Sequence, residues 1–168
     1  TRAEDLRVIF KQALNGSLFD GSNLLNELRI DDQKLGVYGH SFGSVTAGLF
    51  ASTEPTVSAL AGLAAPIENP LLPGVKMADL GMPILLVLAE EDNSIGEIGN
   101  RLLRNNFEAA TSPIWRLDIA DAGHWSVSDL CGLTEAFSAG CGSGTRHSKL
   151  EPGASFDYLP VSDGISIT

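Results

Sequence analysis

Lys34-Leu35-Gly36-Val37-Tyr38-Gly39-His40-Ser41-Phe42-Gly43-Ser44-Val45-Thr46-Ala47 is the stretch that decides the fold. Lys34 to Tyr38 reads as a short strand running into Gly39, and Ser44 to Ala51 as a helix built from small residues. Strand, tight turn and helix around Gly39-x-Ser41-x-Gly43 fit a nucleophile elbow, in which the serine is held in a strained backbone conformation with its hydroxyl above the sheet. Both glycines are expected for steric reasons, because a Cβ at either position would clash with a neighbouring backbone. The helix that follows points its N-terminus at the serine, and the Phe42 N–H is placed to donate to an oxyanion. The competing reading is a plain turn served by two glycines, so the rest of the chain must supply the context.

Outward from the elbow, helices and strands alternate. Thr1 and Glu4 have capping-box spacing, and Leu6, Ile9, Phe10, Ala13 and Leu14 share one helical face that Gly16 ends. Val57 to Leu63 reads as a second buried strand, followed by a loop carrying Pro66, Pro70, Pro73 and Gly74. Pro83 introduces Ile84 to Leu88, a continuous apolar run of the kind that fills a parallel sheet covered on both faces. Ser94 and Glu97 repeat the capping-box spacing ahead of a helical stripe of Ile95, Ile98, Leu102 and Phe107. Pro113 to Ile119 is the next strand and Ser126 to Phe137 the next helix. Alternation without hairpin signals means right-handed crossovers and a mostly parallel sheet with flanking helices, so the class is α/β. Residues 1–137 are read as a partial α/β domain, and 138–168 as an irregular Gly-, Ser- and Pro-rich tail anchored by Phe156, Tyr158 and Leu159.

A serine hydroxyl is a weak nucleophile at neutral pH and needs a histidine base with a carboxylate to orient it. His124, in Asp121-Ala122-Gly123-His124-Trp125, follows the strand Pro113 to Ile119 and so stands at the carboxyl edge of the sheet, where open α/β sheets build their sites. His40 is too close to Ser41 along the chain to fold back as a base and is expected to pack beside the elbow, and His147 to be solvated in the tail. Glu90, Glu91 and Asp92 follow the strand Ile84 to Leu88. Asp92 stands farthest past the strand end and is the first choice for the acid, with Glu91 next; its competing role is to cap the helix that starts near Ser94. Glu68, after Val57 to Leu63, is a poorer fit. Trp125 and Phe42 flank the site as contacts for an apolar acyl or alcohol group, or as core fillers beside the elbow.

Composition removes other classes of function. A net charge of −10 and a pI near 4.6 do not suit a protein that grips phosphate backbones, so no nucleic-acid partner is expected. The longest apolar stretches fall well short of the roughly 20 residues that cross a bilayer, and no transmembrane segment is expected. Two cysteines and three scattered histidines give no ligand spacing for a metal. Cys131 and Cys141 either staple the end of a helix to the following loop, which favours a secreted or periplasmic setting, or remain as two half-buried thiols.

In order and spacing, Gly39-His40-Ser41-Phe42-Gly43, Leu88-Ala89-Glu90-Glu91-Asp92 and Asp121-Ala122-Gly123-His124-Trp125-Ser126 resemble the elbow, acid turn and histidine turn of α/β-hydrolases. Gly123 to Cys131 is similar to the histidine segment of platelet-activating-factor acetylhydrolase-like and dienelactone-hydrolase-like esterases, a group that includes bacterial polyester hydrolases. The resemblance, over about Asp32 to Cys141, implies a carboxylic ester hydrolase that works through an acyl-enzyme on a small ester or lipid-like substrate, with no metal or organic cofactor. Some acetylhydrolases of this kind take their acid from the loop after the strand that follows the elbow; that loop has no aspartate here, so Asp92 follows the commoner arrangement. The family also places four strands before the elbow strand, where this chain has one helix. The chain is therefore expected to be a carboxyl-terminal half, as a fragment, a cleavage product or an incompletely recorded gene. On that reading the second oxyanion donor lies elsewhere, and the missing half is a candidate partner for the open strand edge. Two alternatives remain: a non-catalytic module that pairs through that edge, and a peptidase or acyltransferase on the same three residues.

Overall fold

The computed structural model of the chain describes residues 2–15, 30–128, 130, 145–148 and 150–159. Four strands, β1 (Leu35–His40), β2 (Val57–Leu63), β3 (Ile84–Ala89) and β4 (Ile114–Ile119), form an all-parallel sheet in the order β1-β2-β3-β4. Strand order follows chain order because each connection is long enough to return over the sheet. Helix α2 (Phe42–Thr53) joins β1 to β2, a long loop with one 3-10 turn at Met77–Asp79 joins β2 to β3, and α3 (Gly96–Ala109) joins β3 to β4. Helix α1 (Arg2–Leu14) packs on α2, with Phe10 meeting Phe50 edge-on at 5.6 Å and the Arg7 guanidinium donating to Thr53.

The period-2 alternation of the strands divides the apolar residues between two clusters. Leu60, Ile84, Leu86 and Leu88 face Phe50 and Ala51 of α2 and Leu103 of α3, with Ile67 and Met77 from the long loop completing the larger cluster. On the opposite face Val87, Ala89 and Ile119 are covered by Ala122, Val127 and Leu159. β3 is buried along nearly its whole length, which its uninterrupted apolar run anticipates; Leu85 alone is half-buried.

Three sequence expectations change. The Ser94–Glu97 pair does not cap α3: the helix starts at Gly96, Ile95 occupies the cap position without a side-chain bond, and the Asp92 carboxylate takes the Ser94 and Ile95 N–H groups instead. Of the helix expected over Ser126 to Phe137, residues 126–128 are turn, held by Ser126 N–H to the Gly123 carbonyl and Ser128 N–H to the Trp125 carbonyl; the remainder, with Cys131 and Cys141, lies outside the described residues. The third lies in the described part of the tail, where composition alone suggests no regular element. It contains an antiparallel ribbon of β5 (Thr145–His147) and β6 (Ser155–Asp157), and it brings a buried Tyr158 and the Leu159 N–H, bonded to the Asp121 carbonyl, back against the domain. Short-range patterning misses this because the ribbon gains its place from long-range contacts. His147, on β5, is exposed.

Candidate active site

β1 delivers Ser41 into the elbow. Its φ of 56° and ψ of −129° put a non-glycine residue in a region that costs about 1–3 kcal/mol and that persists only where its surroundings fix it. They do so here: the Ser41 N–H donates to the Leu63 carbonyl at 2.9 Å, and the buried Ser44 hydroxyl donates to the Gly39 carbonyl at 2.7 Å. The two glycines are not equivalent. A Cβ on Gly39 would overlap the Gly43 carbonyl and come within 2.7 Å of Ser44 N, whereas a Cβ on Gly43 would meet nothing within 4 Å. The expected clash at both positions is therefore corrected to one, since the turn brings the Gly43 backbone over Gly39 and leaves the other side of Gly43 open. Phe42 is the first residue of α2, so its N–H has no acceptor within the helix.

The acid turn and the histidine turn are bonded to each other past the ends of β3 and β4. Glu90 N–H donates to the Ile119 carbonyl at 3.1 Å and Glu91 N–H to the Ala122 carbonyl at 3.0 Å, which extends the parallel ladder to the site. Asn100 of α3, 1% exposed, ties the acid turn down by donating to the Ala89 carbonyl at 2.8 Å. On this frame Asp92 and His124 are 2% and 1% exposed, and His124 Nδ1 lies 2.7 Å from Asp92 Oδ2. A carboxylate only accepts, so Nδ1 carries the proton and Nε2 is left as an acceptor for the Ser41 hydroxyl, 2.8 Å away. Asp92 does not occupy the cap position of α3 but holds the turn ahead of it as well as meeting His124: Oδ1 receives Ser94 N–H and Ile95 N–H, each at 2.8 Å, while Oδ2 faces the imidazole. Two backbone donors on one oxygen fix the direction of the other and offset part of the cost of burying the charge.

The remaining candidates lie apart from this line of bonds. The Glu91 carboxylate receives the Ser148 hydroxyl, and Glu68 receives Met77 N–H at 2.8 Å and the Lys76 ammonium at 3.0 Å. The Met77 N–H bond, with Lys76 beside it, holds the Glu68 carboxyl below its usual value. Trp125 is half-buried, with its ring 5.0 Å from those of His40 and His124, and it is not part of the cleft wall at Ser41. That cleft, about 180 Å³, is lined by Phe42, Val45, Ala65, Pro66, Leu72 and Ile95 together with Ser41 and Asn69. Asn106 shapes its wall by accepting the Ile67 and Glu68 N–H groups, each at 2.8 Å. Ser44, Asn93, Asn100 and Asn106 all support the site, yet sequence reading passes over them, because a lone Asn or Ser in a loop or helix gives no local signal of a long-range bond. Among the described residues no three His, Cys, Asp or Glu side chains form a cluster suited to a metal ion, and no described helix is long and apolar enough to cross a membrane.

The arrangement places a serine hydroxyl, an imidazole and a buried carboxyl group in one line of hydrogen bonds. Residues 5–124 match the dienelactone hydrolase family. Among solved structures, the chain is similar to a ferulic acid esterase from Streptomyces cinnamoneus, at 27% identity and a TM-score of 0.56, over 77% of this chain and 34% of that one. The chain therefore spans about a third of the length of that structure. No curated protein sequence matches it.

Proposed function

Because the chain belongs to the dienelactone hydrolase family, within the α/β-hydrolases, we propose that it carries the catalytic centre of a serine hydrolase acting on carboxylic esters with an apolar acyl or alcohol group. The observation that carries the proposal is the unbroken line from Asp92 Oδ2 through His124 to Ser41 Oγ, with both distances under 3 Å and Ser41 at a strained positive φ.

In this reading Ser41 Oγ attacks the ester carbonyl as its proton passes to His124 Nε2, and Asp92 stabilises the imidazolium that forms. The tetrahedral oxyanion takes a hydrogen bond from Phe42 N–H at the positive end of α2. Collapse expels the alcohol, which leaves with the proton from Nε2, and an acyl-Ser41 ester remains. A water deprotonated by His124 then attacks that ester, releases the acid and returns the proton to Ser41. The apolar walls of the cleft supply the preference for an apolar substituent, and the resemblance to a ferulic acid esterase is in keeping with an aromatic one.

The test is turnover of p-nitrophenyl esters of graded acyl length beside the matching anilides. Ester turnover that rises with apolar size, with anilides left intact, supports the proposal; comparable turnover of anilides would replace it with a peptidase. A second reading concerns partners. β1 pairs with β2 alone among the described strands, so its outer edge favours pairing with a further strand, and sedimentation of the chain over a range of concentrations tests whether that strand comes from a second copy.

A further inference from the structure

We propose that His40 is a positioning residue for the reaction: its side chain clamps the backbone of the base, and so sets the spacing between Ser41 and His124 independently of the bond that breaks during catalysis. The inference rests on the serine-hydrolase reading above and extends it to a residue outside the Asp92–His124–Ser41 line.

Each polar group of His124 is held by a different side chain. Nδ1 meets Asp92 and Nε2 meets Ser41, the backbone N–H donates to Asn93 Oδ1 at 3.2 Å, and the carbonyl accepts from His40 Nε2 at 2.7 Å. The Ser41 bond is the one the chemistry disrupts, since Nε2 must turn from acceptor to donor as the proton moves from the serine to the leaving alcohol. The His40 bond lies off that route and persists through every step. It also gives the two reacting residues a second link besides their direct bond, because His40 is covalently joined to Ser41 and its ring reaches the carbonyl of His124 itself. The His40 ring is wedged in place, 4.8 Å from the His124 ring and 5.0 Å from that of Trp125.

The carbonyl can only accept, so the His40 proton is on Nε2. Burial holds the His40 pKa below its ordinary value, outweighing the hydrogen bond to the His124 carbonyl, which raises it. A neutral ring suits the role: it keeps the donor on Nε2 without placing a second positive charge beside the His124 imidazolium that forms in the transition state. Packing alone would be met by any flat ring, whereas the clamp needs a donor at the Nε2 position.

Two variants separate these cases. His40→Phe keeps the ring and removes the donor; His40→Gln removes the ring and keeps an amide N–H the same number of bonds from Cα. With both variants folded by circular dichroism, the clamp predicts that the Phe variant loses kcat on the order of 10²-fold, the scale expected for a misplaced catalytic group, with KM unchanged, and that the Gln variant recovers most of it. A Phe variant with wild-type kcat, or a Gln variant as slow as the Phe variant, would overturn it. A wild-type chain that turns over no ester defeats the serine-hydrolase reading, and the clamp is then read without turnover by ¹⁵N NMR of the imidazoles. A slowly exchanging proton on His40 Nε2 supports it; a proton on Nδ1 overturns it.

Discussion

On the sheet face turned away from α2 and α3, Val87, Ala89 and Ile119 are buried beneath Ala122, Val127 and Leu159. Toward the amino ends of the strands on the same face, Tyr38 and Trp115 are 74% and 59% exposed around an apolar hollow of about 400 Å³, with Ala59, Ala61 and Leu85 on its floor. Both halves are apolar, so composition does not separate them. Ladder bonds run past the strands at both ends, through Leu60 N–H to Pro83 and Ile84 N–H to Pro113 at the amino end and through Ser41 N–H to Leu63, Ala64 N–H to Val87, Glu90 N–H to Ile119 and Glu91 N–H to Ala122 at the carboxyl end; the difference lies in cover, which among the described residues the histidine turn and Leu159 give to the carboxyl half. The candidate site is thus fixed by residues that the sheet itself brings together. At the other end an apolar patch is exposed.

The comparison breaks if the carboxyl half tolerates change as readily as the amino half. The largest effect is expected at Asp92. Asp92→Asn keeps an oxygen for the Ser94 and Ile95 N–H groups but presents an amide donor to His124 Nδ1, which favours the wrong tautomer. Ester turnover should fall by about 10⁴-fold with little change in melting temperature, as measured by steady-state kinetics and calorimetry. A loss of only a few-fold would mean that Asp92 serves the turn ahead of α3 and not the imidazole.

Next in size are the cores of the two halves. Leu86→Ala, at a fully buried position of β3, should cost about 2–5 kcal/mol in urea unfolding, whereas Trp115→Thr should change stability by about 1 kcal/mol or less. Equal losses would show that Trp115 is covered after all. Within the elbow, Gly39→Ala should destabilise by about 3 kcal/mol, the upper end for overpacking, because the obstacle is backbone. Gly43→Ala should be close to neutral, since its Cβ enters open space. Parallel thermal melts of the two variants compare them directly.

The smallest effect is a pH dependence. Burial lowers the His40 pKa in the folded protein, so below the ordinary value of about 6.5 the unfolded chain binds the extra proton more readily. Stability from this group is then present above that pH and declines as pH falls through the window beneath it. His40→Gln should flatten that part of a stability–pH curve; an unchanged slope between the wild type and the variant would assign it to other groups.

Strands β1 to β4 and helices α1 to α3 are legible because each is patterned locally: the apolar run of β3, the glycines of the elbow and the period of α3 all act over a few residues. Ser41 and His124 stand out in the sequence because an elbow turn and a post-strand loop leave residue signatures, and their side chains meet in the structure. The distance of Asp92 past β3 singles it out, though nothing in the sequence indicates that one carboxylate both holds the turn ahead of α3 and faces the histidine. The His40 bond, the Ser44 and Asn100 tethers and the fit of the tail ribbon around Glu91 and Asp121 were not legible. Each joins residues far apart in the chain or depends on which way a side chain turns, and neither is encoded in spacing. The asymmetry between Gly39 and Gly43 was hidden for the same reason, since the motif names both glycines while the backbone crowds only one.

The most direct test of the account is labelling of the chain with a fluorophosphonate, followed by peptide mass mapping. The account predicts one adduct, on Ser41, absent in folded Ser41→Ala and His124→Ala variants. A folded wild-type chain that takes no label, or takes it on another serine, would contradict it.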